Sequence, residues 1–166
     1  MNHEFFMRHA LKEAQKALLS GEFPVGCVVV SGNRLIAAGS RVGTTGRIAS
    51  ELDHAEMVAL RQLDALNEEI DPGGMTVYST MEPCLMCFGA ILINRIQKIV
   101  YAYEDVMGGA TNCALAALPQ LYQKNKISII SNVLREESLD LFKRFFSNPK
   151  NSYWKGSRLS EYTLEQ

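Results

Sequence analysis

Two short clusters carry the side chains best suited to chemistry, His54-Ala55-Glu56 and Pro83-Cys84-Leu85-Met86-Cys87. Cys84 and Cys87 stand three residues apart, so at a helix start their sulfurs share one face, near backbone N–H groups that favour thiolate over thiol. His54 adds one nitrogen to the two sulfurs, a donor set whose softness suits Zn2+. Three protein ligands leave the fourth tetrahedral position to a water or hydroxide, the arrangement of a catalytic centre. Zinc brings the pKa of such a water from about 15.7 to about 7. Glu56, two residues beyond His54, points to a different side of the first helical turn. There it can take the proton of that water and return it to a ring nitrogen and then to a departing amine.

Plainer readings stand beside this one. Singly, His54 fits a helix-cap histidine, and Cys84 and Cys87 fit buried small hydrophobes. A structural zinc site would need a fourth donor from Cys27, Cys113, His3 or His9. Cys27 sits in the apolar run Val25 to Val30 and reads as core, whereas Cys113 follows the Gly108-Gly109-Ala110 turn and can lie near a pocket.

The elements that must position these clusters follow from periodicity. Phe6, Ala10, Ala14, Ala17 and Leu18 recur at helical spacing, which predicts an amphipathic helix from Asn2 to Leu19. Val25 to Val30 and Leu35 to Gly39 flank Ser31-Gly32-Asn33 and predict a hairpin. The polar stretch Gly43 to Ser50 is a loop, and Asp53 can cap a helix running from His54 to about Leu66. Further strands are expected at Thr76 to Ser79, Lys98 to Tyr103 and Ile127 to Ile130. Further helices are expected from Cys84 to Asn94, Cys113 to Tyr122 and Glu136 to Phe146. This alternation predicts an α/β fold, a three-layer α/β/α sandwich on a mixed sheet of about five strands whose later members are parallel through helical crossovers.

With 166 residues, 47% of them hydrophobic, the chain suits one domain, residues 1–147, followed by an irregular tail at 148–166. Tyr153 and Trp154 would pack that tail if it is ordered at all. No apolar run is long enough to span a bilayer, and the first ten residues lack the basic start and apolar stretch of a secretory leader, so a cytoplasmic protein is expected. Seventeen Lys and Arg against eighteen Asp and Glu give a formal charge of −1, which excludes an overall field for collecting polyanions. Lys143, Arg144, Lys150, Lys155 and Arg158 leave room for a local basic patch or a solvated face. Four cysteines in such a chain read as metal ligands, catalytic groups or core residues before disulfides.

The paired motifs resemble the cytidine deaminase superfamily. Within it the chain is most similar to the bacterial tRNA wobble-adenosine deaminases, through Phe6-Met7-Arg8-His9-Ala10-Leu11, Phe23-Pro24-Val25-Gly26, the segments running on from His54 and from Met81, Asn94-Arg95-Ile96 and Phe145-Phe146. The resemblance implies a cytidine deaminase-like fold, one Zn2+ per chain and a homodimer. It implies a zinc-dependent hydrolase that releases ammonia from a nucleobase-type ring, with the wobble adenosine of a tRNA anticodon loop, converted to inosine, as one substrate. Deamination of a free base, nucleoside or nucleotide of guanine, cytosine or cytidylate type is the alternative, and a non-catalytic zinc-binding partner subunit is a third reading that Glu56 disfavours. The resemblance also implies a pocket built partly from Pro24 and Val25, with backbone N–H groups near Ala55 and Cys84 facing the reacting oxygen.

Departures from the family pattern bear on the substrate. Arg41 stands where the tRNA enzymes carry an asparagine that contacts the nucleoside, and arginine offers donors only. Glu51-Leu52-Asp53 replaces the usual aspartate-proline-threonine-alanine, so Asp53 is either the helix cap or a partner for a substrate amine. Phe145 and Phe146, with Lys143 and Arg144, can receive bases of a splayed loop or can be the buried face of the last helix. The mixed tail from Ser147 replaces a basic extension, and it can bring Tyr153 or Trp154 to the pocket.

Overall fold

A computed structural model describes residues 2–46 and 48–166; Met1, in the leader reading, and Arg47, in the Gly43 to Ser50 loop reading, lie outside the described residues. Helix α1 (His3–Leu19) starts at Asn2, whose side chain accepts the Phe5 N–H at 3.1 Å. It buries Phe6, Met7, Ala10, Leu11, Ala14 and Ala17, the stripe that its periodicity demands. Strands β1 (Gly26–Ser31) and β2 (Arg34–Ser40) form the expected antiparallel hairpin. Helix α2 (Ala55–Ala65) returns the chain to β3 (Met75–Met81), and α3 (Leu85–Ile93) to β4 (Lys98–Tyr103). Strand β5 (Ser128–Ile130) closes the sheet.

The sheet order is β2-β1-β3-β4-β5. β1 is antiparallel to both neighbours, whereas β3, β4 and β5 run parallel, joined by connections that carry helices. Alternation along the strands builds two cores. Val28, Val30, Tyr78, Val100 and Ala102 face α1, while Cys27, Val29, Val77, Ile99 and Tyr101 face the cluster that includes Ala59 of α2 and Ile91 of α3. Helix α5 (Arg135–Ser147) gives Leu141 to the first core and Leu139, Phe142 and Phe145 to the second. The expected three-layer α/β architecture with a five-stranded mixed sheet is the observed one.

Two expectations are corrected. The helix expected over Cys113 to Tyr122 is a 3-10 turn at Leu115–Ala117 and a single-turn helix α4 (Gln120–Gln123), separated by Pro119, which has no N–H to continue a helix. The tail expected to be irregular contains helix α6 (Arg158–Glu165), capped by the Ser157 side chain, which accepts the Ser160 N–H at 3.2 Å. α6 is fastened at several points. Tyr103 and Thr163 share a hydroxyl contact at 3.0 Å, the Tyr162 hydroxyl donates to Glu104 at 2.7 Å, and Arg135 donates to Glu104 and to the Gln166 side chain. Among the described residues, no helix is long and apolar enough to cross a membrane.

Candidate active site

The first residues of α2 and α3 converge beside the carboxyl end of β3. His54 is the N-cap of α2, and Cys84 is the N-cap of α3, with Cys87 one turn in. Gly39 allows the approach of α2 to β2, because a Cβ there would run into the Ala55 carbonyl oxygen. Asp53, expected as the cap, is not one. Its carboxylate accepts from Arg61 at 2.6 Å and from the Ser50 hydroxyl at 3.0 Å, and it does not line the cavity below.

His54 Nδ1 lies 3.5 Å from each of the Cys84 and Cys87 sulfurs. A tetrahedral zinc with Zn–S near 2.3 Å and Zn–N near 2.05 Å requires an N···S edge of about 3.6 Å, so the three donors fit the metal as they stand. The charges agree. Donation from the Cys87 thiol, together with His54, holds the Cys84 thiol down at about 4, while Cys87, donating to that thiolate and buried, is pushed up. Contact with Cys84 raises His54. Two sulfurs so close disfavour a second thiolate, and a divalent cation lets both ionise. No fourth His, Cys, Asp or Glu joins the cluster among the described residues. Cys27 is buried in β1 and Cys113 is exposed, so neither completes a structural site.

Glu56 is 3% exposed. The Ser79 hydroxyl donates to its Oε1 at 3.0 Å, which leaves Oε2 toward the ligand cluster, 3.5 Å from the Cys87 sulfur. Burial raises its pKa, the direction that suits a group meant to hold and release a proton.

These groups open into a cavity of about 270 Å³, below the range of roughly 300–1,000 Å³ usual for drug-sized ligands. Val25 and Ala55 line it as expected. Pro24 and Phe145 do not: Pro24 is buried outside the lining, and Phe145, 1% exposed, packs edge-on against Phe23 at 5.3 Å in the aromatic core. Arg41 reaches the lining but is spent. It is 2% exposed, and its guanidinium donates to the carbonyls of Val42, Ser50 and Asp53, to Glu51, and to the Tyr153 hydroxyl. It organises the loop before His54 instead of offering donors to a substrate.

Several lining residues escaped the sequence reading. Glu82 accepts from the Thr111 N–H and hydroxyl and from the Asp105 N–H, tying the 105–111 loop to the end of β3 just before Cys84. Gly109 lies so close that a Cβ would meet the Glu82 carboxylate. That loop supplies Asp105, Met107 and Gly108, and the C-terminal segment supplies Leu159 beside Tyr153 and Trp154, the two aromatic residues that the tail was expected to bring to the pocket. The position of Glu82 immediately before Pro83-Cys84 was a legible hint; the other contacts are too distant in sequence to leave one.

Residues 1–103 match the family described as the cytidine and deoxycytidylate deaminase zinc-binding region. The chain is 32% identical over 143 residues to a tRNA-specific adenosine deaminase of Bacillus subtilis (strain 168), covering 86% of this chain and 88% of that one. It is similar to a solved structure from work on A-to-I editing by tRNA:A34 deaminases, at 33% identity and a TM-score of 0.69, over 82% of this chain and 98% of that one. It is also similar to the guanine deaminase of Bacillus subtilis, at 33% identity and a TM-score of 0.56, over 63% of this chain and 66% of that one.

Proposed function

The chain belongs to the cytidine and deoxycytidylate deaminase zinc-binding family and is a zinc-dependent hydrolytic deaminase; on that premise we propose that its substrate is the wobble adenosine of tRNA, converted to inosine. The observation that carries the chemistry is the triangle of His54, Cys84 and Cys87 with the Glu56 carboxylate against it in one cavity. The likeness to the Bacillus subtilis tRNA-specific adenosine deaminase along most of both chains supports the substrate.

Zinc supplies a Lewis acid that makes a water acidic enough to lose its proton near neutral pH. His54, Cys84 and Cys87 would hold that metal. Glu56 takes the proton on Oε2, while Ser79 fixes the other oxygen. It delivers that proton to the ring nitrogen, then takes the remaining proton of the hydroxyl added at the ring carbon and passes it to the exocyclic amine as the C–N bond breaks. The ring carbon keeps the water's oxygen, and ammonia leaves. The buried walls exclude bulk water from these transfers.

We place the protein in the cytoplasm as a homodimer holding one zinc per chain. The apolar side chains left exposed on and near α3, Leu85, Ile93 and Leu121, support a subunit contact there, which sedimentation would read as twice the mass of the chain. The decisive experiment incubates zinc-loaded protein with an anticodon stem-loop carrying adenosine at the wobble position and measures inosine. Formation of inosine that Glu56→Ala abolishes, with zinc content unchanged, is the expected result; inosine formed equally by the variant overturns the mechanism.

A second reading has its own support. The C-terminal residues Tyr153, Trp154 and Leu159 narrow the cavity, and among the described residues its only cation is the committed Arg41. Both features suit a small uncharged base better than a polyanion, which needs phosphate contacts. Ammonia release from free guanine, cytosine or adenine, with no inosine formed in RNA and a rate insensitive to salt, would select this reading.

A further inference from the structure

The deaminase reading leaves unexplained a bulky aromatic side chain held in a costly conformation at the cavity mouth. Trp154 lines the cavity, yet its residue remains 44% exposed, so part of the indole faces solvent at the opening. Its backbone φ of 55° lies in the left-handed region, which large residues rarely adopt unless their surroundings impose it. Those surroundings are visible. Behind it, Tyr153 packs edge-on against both Trp154, at 5.7 Å, and Phe23, at 5.3 Å. The Tyr153 hydroxyl donates to Glu51 at 2.8 Å and receives from Arg41 at 3.4 Å, and the Arg41 guanidinium lies 5.8 Å from the centre of the Tyr153 ring. Ahead of it, the Trp154 carbonyl accepts the Ser157 N–H at 3.1 Å, and α6 follows directly, with Leu159 in the cavity wall. Arg41 and Glu51 belong to the loop that delivers His54, so this network joins the zinc-ligand loop to the indole.

We propose that Trp154 is a specificity-determining residue of this site: its indole is a stacking surface for a nucleobase ring at the cavity mouth, and Arg41, Glu51 and Tyr153 are the positioning residues that hold it there. The proposal rests on the deaminase reading for the class of ligand. Nucleobases stack on an aromatic face with little dependence on sequence, because every base has a π-face. A half-exposed indole rigidly backed from behind meets that need without reorganisation. The ring that stacks has two sources, the base undergoing deamination or its neighbour in an RNA loop.

The chain contains a single tryptophan, so its fluorescence reports this ring alone. The full chain, zinc-loaded and carrying Glu56→Ala to prevent turnover, is titrated with guanine, with adenine and with the anticodon stem-loop RNA, while calorimetry records binding independently. Saturable quenching is expected. Quenching by a free base identifies the reacting ring as the partner, and quenching by the RNA alone identifies its neighbour. In the Glu56 protein, Trp154→Ala raises KM about 5- to 150-fold, the range of a lost base–aromatic stack, with kcat unchanged; Trp154→Phe recovers most of the loss. Tyr153→Phe, which keeps the ring and removes the hydroxyl, lowers the fluorescence anisotropy of Trp154 and raises KM part of the way. Unchanged emission at a ligand concentration that calorimetry shows to be saturating, or an unchanged KM in Trp154→Ala, overturns the proposal. If the wild-type protein deaminates none of these ligands yet they quench, the substrates assigned to the deaminase fail and the stacking surface stands.

Discussion

The zinc-ligand cluster and the C-terminal segment face one another across the same cavity, yet they are built differently. The cluster hangs from the starts of two helices packed on the sheet; Cys84 and Cys87 fall on one face by the first turn of α3 alone, and the sheet brings the start of α2 with His54 beside them. The C-terminal segment is placed by partners far away in the chain: Tyr103 and Glu104 at the end of β4, Arg135 at the start of α5, and Arg41 before α2. The chemistry is thus written into short local motifs, whereas the shape of the substrate space depends on long-range docking. A family can keep the first and vary the second.

The largest effect should come from the cluster. Cys87→Ser or chelation removes zinc and with it all measurable turnover, while the melting of α6 against α5, followed by hydrogen exchange, is little changed. A variant that loses zinc and also frees α6 would erase the distinction. Next is Glu56→Ala, with kcat falling about 10²- to 10⁴-fold and the metal retained, the usual range for losing a general acid–base group.

The core on which both regions lean comes third. Phe142 is fully buried against Phe23 and Tyr103, and Phe142→Ala should cost about 3–5 kcal/mol in denaturant titration. Leu159→Ala, about 2–5 kcal/mol by the same reasoning, should show its loss first as exchange in α6. Equal and simultaneous loss throughout the chain would mean that the C-terminal segment is not a separate unit.

The smallest effect is electrostatic. Burial pushes the Glu104 carboxyl up, but Arg135 and Tyr162 pull it further down, so it ends below its ordinary 4.5. A lowered carboxyl contributes its stability above the unfolded value and loses it as pH falls through the folded one. Docking of α6 should therefore be constant from neutrality to about pH 4.5 and weaken below it. Glu104→Gln should cost about 1 kcal/mol at pH 7 and flatten that acid-side decline, read by exchange or near-ultraviolet dichroism.

This division also explains what could be read from the sequence. The hairpin at Ser31-Gly32-Asn33, the apolar stripe of α1 and the paired motifs at His54 and Cys84 are local patterns, and they emerge where expected. Arg41, Asp53 and Phe145 were candidates for touching substrate, with Asp53 otherwise a helix cap and Phe145 otherwise the buried face of the last helix, because their types permit either. Their actual partners, the Ser50 carbonyl, the Arg61 side chain and the Phe23 ring, are fixed by tertiary packing that no spacing rule conveys. Pro119 was a legible break inside an expected helix. The Ser157 cap followed by Leu159, Tyr162 and Thr163 at helical spacing was an equally legible start for α6.

His54 and Cys84 lie thirty positions apart, with β3 between the helices that carry them, so the complete donor triangle exists only after the sheet has formed. Any free energy released on binding zinc there is consequently added to the free energy of folding. At a free zinc concentration a thousand times the dissociation constant this amounts to about 4 kcal/mol. Metal supply thereby becomes a thermostat, with the midpoint temperature of the chain climbing as zinc rises and slipping back wherever a competing chelator holds zinc scarce.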